Sequence, residues 1–192
     1  MILIIDNGSQ YTHLIKRNCR DMDQESVIMN NRNGTLEDVE SMKPDKIIMS
    51  GGPSSVFTPE EKDRLTMKIV KAVWERKIDV PLLGVCWGHQ MIGYVLGGKV
   101  AKGASAEYGF AKITVDNEDL IFRGMPREFN AWVSHFDEVK EAPPDFEALA
   151  HSDTCKIEAM RHKNRDIFSV QFHPEVWHTQ NGEKILENFL KI

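Results

Sequence analysis

The sequence predicts an α/β fold: an open, twisted, mainly parallel sheet with flanking helices and additional antiparallel strands in its second half. Three observations lead there. Short runs rich in Ile, Leu and Val, at residues 2–5, 46–49 and 82–85, each lead into a glycine-containing turn, as buried parallel strands do. Helical patterns lie between these runs, so the connections are crossovers, which are right-handed and leave a cleft at the C-terminal ends of the strands. After Gly97-Gly98 the pattern becomes alternating, with Ala111, Ile113 and Val115 on one face and polar or Pro-rich turns at Asn117-Glu118-Asp119 and Pro143-Pro144.

Taken in order, the first run opens a helix on which Tyr11, Leu14, Ile15 and Cys19 share a face, and Leu36, Val39 and Met42 mark a shorter one. A third helix is expected to begin at Thr58-Pro59-Glu60-Glu61, where Thr58 caps, Pro59 suits the first helical position and Glu61 completes a capping box. It continues through Leu65, Ile69 and Val73 towards Arg76 and Lys77, whose charges suit a helix C-terminus. Beyond residue 98, short antiparallel strands are expected to flank the sheet rather than form a separate domain. Phe168, Val170 and Phe172 alternate as in a half-buried strand, and a last helix carries Ile185, Leu186, Phe189 and Leu190 on one face. At 192 residues the chain suits one compact domain over 1–192.

The formal charge of −5 and a pI near 5.8 give no reason to expect a nucleic-acid partner, because phosphate backbones attract clustered Lys and Arg. Arg161-His162-Lys163-Asn164-Arg165 reads as a solvated turn. No apolar run has bilayer-spanning length and Met1 runs straight into the first strand, so the expectation is a cytoplasmic protein without a membrane partner. Cys19, Cys86 and Cys155 are separated singletons, with no disulfide framework and no C-x-x-C or H-x-x-x-H spacing. A glycine-containing turn follows the first strand, but it lacks the G-x-G-x-x-G spacing of a dinucleotide site. Neither a metal nor a cofactor is expected in this chain.

The chemistry concentrates at Leu82-Leu83-Gly84-Val85-Cys86-Trp87-Gly88-His89-Gln90. A glycine two residues either side of a cysteine suits a sharp strand-to-helix corner, where two backbones crowd together and tolerate little more than a hydrogen. At the helix N-terminus a thiolate meets the positive end of the dipole and unpaired N–H groups. The competing reading of Cys86 is an ordinary buried thiol, and the paired glycines weigh against it. Such a nucleophile needs a base, and Phe168-Ser169-Val170-Gln171-Phe172-His173-Pro174-Glu175 supplies one: Pro174 biases His173 towards extended backbone, where Glu175, two residues on, points to the same side and can hold one ring nitrogen. Read singly, His173 is a solvated histidine and Glu175 a surface charge. Together with Cys86 they make a triad.

These two stretches resemble the class I (triad) glutamine amidotransferases, and the resemblance runs over essentially the whole chain. Asp6-Asn7-Gly8-Ser9-Gln10-Tyr11, Ser50-Gly51-Gly52-Pro53-Ser54, Glu107-Tyr108-Gly109, Trp132-Val133-Ser134-His135-Phe136-Asp137 and Glu175-Val176-Trp177-His178-Thr179 resemble the GMP synthase branch of that family in particular. The resemblance implies catalytic roles for Cys86, His173 and Glu175, an oxyanion hole from the backbone N–H groups of Gly52 and Trp87, and glutamine binding by Gln90 and by a substrate loop at Ser134, His135 and Phe136. Phe136 stands where many relatives have glycine. From residues alone, Ser50-Gly51-Gly52-Pro53-Ser54 is also compatible with a plain tight turn, and only superficially with the Ser-Gly-Gly loop of ATP pyrophosphatases, since Pro53 and Ser54 break that match.

The implied activity is glutamine hydrolysis that delivers ammonia to a second active site. The chain ends where the amidotransferase domain ends, so the expectation is a two-subunit GMP synthase whose separate ATP-pyrophosphatase subunit holds ATP and Mg²⁺ and converts XMP to GMP. A glutaminase subunit serving anthranilate or aminodeoxychorismate synthesis would share the triad, and a non-catalytic binding module could share the fold.

Overall fold

The computed structural model describes residues 1–58, 64–118 and 120–192. Its first strand sets the pattern for the parallel half. In β1 (Ile2–Asp6), Ile2 and Ile4 belong to one apolar core and Leu3 and Ile5 to another, so the strand has no solvent face. The same division holds for β3 (Lys46–Met49) and β4 (Leu82–Val85): Ile48 and Leu83 face the first core, Ile47, Met49 and Leu82 the second. Burial on both sides is what a parallel strand covered by crossover helices requires, and it explains runs without alternation. The first core takes Ile15 and Cys19 from α1 (Thr12–Asp21) and Ile185, Leu186 and Phe189 from α5 (Gly182–Leu190). The second takes Val39 from α2 (Leu36–Met42), Ile69 and Val73 from α3 (Leu65–Trp74), and Trp87 and Met91 from α4 (Trp87–Val95).

The remaining strands are β2 (Ser26–Asn30), β5 (Lys99–Val115), β6 (Glu128–Glu141), β7 (Phe146–His151), β8 (Ala159–His162) and β9 (Ile167–Val170). The described strands form one nine-stranded sheet in the order β2-β1-β3-β4-β9-β8-β7-β5-β6. The first five are parallel, and every pairing from β9 outward to β6 is antiparallel. The mixed α/β architecture with antiparallel strands in the second half is as the sequence implies, with several corrections of detail.

β2 is a strand that the pattern did not reveal. It lies at the sheet edge with its Ile28 side chain 36% exposed, so it lacks a continuous apolar run. β9 is buried along its whole length rather than half-buried, because it sits in the middle of the sheet between β4 and β8. The antiparallel strands β5 and β6 are long, not short; a register shift between Lys102 and Glu107 lets one strand run across a break in pairing. The helix expected to start at Thr58 begins instead at Leu65, after Arg64 in extended backbone with ψ 152°, so Thr58 does not cap α3; Pro59 and Glu61 lie outside the described residues, as does Asp119 of the turn after β5. α3 ends at Trp74, and its last carbonyls accept from a distant side chain: Arg165 donates to Val73 O at 2.9 Å and to Trp74 O at 2.7 Å. A cation at a helix C-terminus is therefore present, but it comes from the turn before β9 rather than from Arg76 or Lys77.

Between β4 and α4 the backbones approach closely. A Cβ at Gly84 would lie 2.6 Å from the Gly88 carbonyl oxygen and 2.8 Å from Ile92 Cδ1; one at Gly88 would lie 2.7 Å from the Met49 carbonyl oxygen. Neither carbonyl can move without disturbing the helix or its strand. Gly84→Ala is therefore expected to destabilise the protein by at least about 2 kcal/mol, the range of core overpacking. Urea unfolding measures this, and an unchanged midpoint would show that the corner has slack.

Candidate active site

Cys86 stands at the corner itself, as the N-cap of α4, with φ 51° and ψ −104°. Few residues other than glycine adopt positive φ, and a strained backbone here lifts the side chain out of the plane of the sheet. The corner is locked from two sides: Cys86 N–H donates to Val170 O at 2.8 Å, and Gln90 N–H donates to Cys86 O at 3.1 Å. The first of these bonds continues the parallel pairing of β4 with β9, in which Val85 stands opposite Val170. The strand that carries His173 thus ends beside the strand that carries Cys86. His89, on the same helix, reinforces the junction with a 2.8 Å contact from Nδ1 to Ser169 Oγ; burial, then the neighbouring His135, push its pKa down to about 3, so the ring there is neutral.

The chain beyond β9 turns sharply rather than running extended. Val176 N–H donates to His173 O at 3.4 Å and Thr179 Oγ1 donates to the same carbonyl at 2.6 Å, while His173 N–H donates to Trp132 O at 2.9 Å. His173 Nδ1 nonetheless lies 2.9 Å from Glu175 Oε1, with the two side chains 4% and 0% exposed. The pair forms because a turn folds the carboxylate back, not because a strand aligns the two residues. A Cβ at Gly182, where α5 begins, would lie 2.2 Å from Pro174 O, so the helix start presses directly on this turn.

Cys86 stands on the other side of His173 from Glu175, close enough to influence its ionisation. Burial disfavours the charged ring, but the Glu175 carboxylate and Cys86, by charge and by hydrogen bonding, outweigh it and hold its pKa well above the ordinary 6.5. The edge of Tyr11 packs on the imidazole at 5.0 Å between centroids, and Trp132 Nε1–H donates to Tyr11 Oη at 3.2 Å. Cys86 Sγ in turn faces Ser134 O at 3.8 Å, a weak thiol-to-carbonyl contact.

These residues open on a cavity of about 760 Å³. Cys86, His173, Gly52, Trp87, Gln90, Ser134, His135 and Phe136 all line it, whereas Glu175 stands behind His173. The turn at Ser50 is packed tightly against the pair: a Cβ at Gly51 would lie 3.1 Å from His173 Cε1 and 3.4 Å from Cys86 Cβ, and one at Gly52 2.8 Å from Asn7 O. Asn7 braces that turn, donating from its backbone N–H to Ser50 Oγ at 3.0 Å and from Nδ2 to Ser50 O at 2.8 Å. Ser55 closes its far end by donating to Asp137 Oδ2 at 2.7 Å.

The expected substrate loop is not a loop. Residues 132–137 lie within β6, opposite β5, and it is the strand that carries Ser134, His135 and Phe136 to the cavity. Gln90 Nε2 donates to Asp137 O at 2.6 Å and to Gln171 Oε1 at 3.2 Å, so the amide nitrogen fastens the wall. Phe136 is half-exposed beneath Lys102 Nζ, 5.5 Å from its ring centroid. Sequence reasoning assigned no role to Asn7, Ser55, Asp137, Tyr11 or Glu107, although four of the five fall in stretches that carry the family resemblance. It also treated Cys155 as isolated. Among the described residues, Cys155, Glu107 and Glu158 bring their donor atoms within 4.8 Å of one another, a grouping assembled from separate segments that spacing along the chain does not reveal.

The family model for glutamine amidotransferase class-I matches residues 3–192. A glutamine-hydrolyzing GMP synthase subunit of Pyrococcus abyssi is 50% identical over 192 residues, spanning 100% of this chain and 98% of its own; its counterpart from Methanocaldococcus jannaschii is 47% identical over 193 residues, spanning 100% and 97%. A Thermoplasma acidophilum crystal structure described as a GMP synthase subunit superposes with a TM-score of 0.87 at 35% identity, covering 99% of this chain and 92% of that one. A Thermotoga maritima glutamine amidotransferase, at 20% identity, shares the fold with a TM-score of 0.77 over 91% of this chain and 76% of that one. A strand-to-helix corner bearing cysteine, joined through the sheet to a buried His–Glu pair, therefore has its counterpart in a known family: this chain is a class I glutamine amidotransferase.

Proposed function

We propose that the chain is the glutaminase subunit of a two-subunit GMP synthase, releasing ammonia from glutamine at Cys86 for a separate ATP-pyrophosphatase subunit that converts XMP to GMP. The observation that carries the chemistry is the line Cys86–His173–Glu175 at the cavity wall. Full-length similarity to several archaeal GMP synthase subunits of the same length supports the assignment to GMP synthesis and, with it, the second subunit. ATP and Mg²⁺ belong to that partner's half of the reaction, and the whole of residues 1–192 serves the glutaminase half.

In this reading His173 takes the proton of Cys86 and the thiolate attacks the side-chain carboxamide carbon of glutamine. The tetrahedral oxyanion is stabilised by the backbone N–H groups of Gly52 and Trp87, the latter in the first turn of α4, where N–H groups have no intrahelical partner. His173 then protonates the departing nitrogen as the C–N bond breaks, leaving a γ-glutamyl thioester. Water, deprotonated by the same imidazole, cleaves the thioester to glutamate and restores the thiol. Glu175 fixes the ring orientation and stabilises its charged form, while Gln90, Ser134, His135 and Phe136 shape the glutamine site.

The complex with the synthetase subunit should separate the two half-reactions. Cys86→Ala is expected to abolish XMP amination with glutamine while amination with ammonium salts persists at the wild-type rate. Retention of the glutamine-dependent reaction would remove Cys86 from its role, and loss of both would point to a fold defect instead. Chorismate offered in place of XMP is expected to yield no aminated product.

The raised pKa of His173 also makes a stability prediction. A protonated ring that gains a partner on folding contributes stability that is fully present below the unfolded value of 6.5 and is lost as pH rises through the higher folded value. Glu175→Gln removes the leading favourable cause, so the stability difference between wild type and variant should be larger at about pH 6 than at about pH 9. Urea titrations at both values measure it, and a gap that widens with pH would contradict the electrostatic account.

A further inference from the structure

Glu107 stands directly opposite His135 across the β5–β6 pair, immediately after the register shift in β5. Both side chains are almost fully buried, at 9% and 2% exposure, and His135 Nε2 lies 2.7 Å from Glu107 Oε2. The other carboxylate oxygen, Oε1, accepts from Ser152 Oγ at 3.1 Å and from Thr154 Oγ1. Glu107 borders the cavity, with Oε1 accepting from two hydroxyls and Oε2 buried against the His135 ring. What it holds is His135. The second ring nitrogen of His135, Nδ1, lies 3.2 Å from the Asp137 carbonyl oxygen, which also accepts from Gln90 Nε2 at 2.6 Å. A continuous line thus runs from Glu107 through His135 to the Asp137 backbone and on to α4, the helix that Cys86 opens. Ser134, on the other side of His135, presents the carbonyl that faces Cys86 Sγ.

Behind Glu107 lie further titratable groups. Glu158 is wholly buried, and burial together with the adjacent Glu107 raises its pKa well above the ordinary carboxyl value, so it holds its proton at neutral pH. Glu107 goes the other way: burial opposes its ionisation, but the adjacent His135 and the Thr154 and Ser152 hydroxyls bring it down to about 2. Cys155, buried beside them and facing the same carboxylates, remains a thiol. Glu107, a neutral Glu158 and the Cys155 thiol therefore lie together behind the cavity wall, with Glu138, paired to Lys140, also near them, and Glu107 faces His135.

We propose that Glu107 is a positioning residue for glutamine: through His135 it fixes the β6 backbone at residues 134–137 in the conformation that receives the substrate. The proposal rests on the glutaminase reading given above. It assigns a role to a side chain that touches neither the reacting atoms nor Cys86. It also gives a use to a buried histidine–carboxylate contact in a wall that an apolar pair would stabilise as well: a carboxylate anchored on one side by two hydroxyls presents its other oxygen in one direction.

The test is steady-state glutamine hydrolysis by the chain in complex with its synthetase subunit, together with calorimetric glutamine binding in a Cys86→Ala background. Glu107→Gln keeps the shape but removes the charge that holds His135; KM and Kd should rise by about tenfold or more while kcat stays within about threefold, as expected when ground-state and transition-state binding fall together. Because the two residues act through one route, Glu107→Gln combined with His135→Gln should cost no more than the worse single change. Unchanged KM and Kd in Glu107→Gln, or losses that multiply in the double variant, would overturn the proposal. So would a glutamine Kd of the Cys86→Ala chain without its partner that shifts on treatment with a chelator, since a cation bound among Glu107, Cys155 and Glu158 would then organise the wall. An inactive wild-type complex would instead sink the glutaminase reading, which keeps the two failures distinct.

Discussion

The structure depends on how closely the backbone of α4 approaches the strands beneath it. At Gly84 and Gly88 there is no room for a single further carbon, because carbonyl oxygens of the helix and of β3 occupy the space that a Cβ would need. That proximity forces the turn between them to be tight, and the tight turn puts Cys86 at positive φ with its thiol above the strand ends and the first N–H groups of the helix around it. The strain of a non-glycine residue in that region, roughly 1–3 kcal/mol, is borne by a corner that Val170, Gln90 and two apolar cores hold in place. Function at Cys86 is thus a property of the packing rather than of the cysteine alone.

Two histidine–carboxylate pairs flank the cavity, with contrasting surroundings. Glu175 is presented to His173 by a turn, and the imidazole keeps its other side for Cys86. Glu107 faces His135 across two strands, and both ring nitrogens of His135 already face protein oxygens. The first arrangement leaves a proton free to travel between the thiol and a substrate. The second leaves nothing free to travel, which is suited to shape rather than to chemistry. The same pair of residue types serves opposite ends because the number of uncommitted ring nitrogens differs.

The sequence was most legible where one local requirement had one solution. Ile2 to Ile5 can only be a strand covered on both sides, and the Gly-x-Cys-x-Gly spacing can only be a corner that two backbones crowd. Legibility fell where the outcome depended on what lies opposite. The alternation of Phe168 and Val170 describes the residues of β9 but not the two strands that enclose it, so a central strand looked half-buried. Ile28 at an exposed edge left too faint an apolar run to mark β2. The His173–Glu175 contact was anticipated from extended geometry, yet it is made by a turn that Thr179, Trp132 and the start of α5 impose from outside. The braces at Asn7, Ser55 and Glu107 join segments tens of residues apart, and only the register of the folded sheet brings them face to face.

β9 occupies the middle of the sheet although it is the last strand in the chain. Until residues 167–170 emerge during synthesis, β4 has an open hydrogen-bonding edge and the two halves of the sheet are not joined. The thiol-bearing corner is made early, while His173 emerges only after the whole antiparallel half from β5 to β8. A fragment truncated anywhere before β9 therefore lacks both the seam of the sheet and the imidazole beside Cys86.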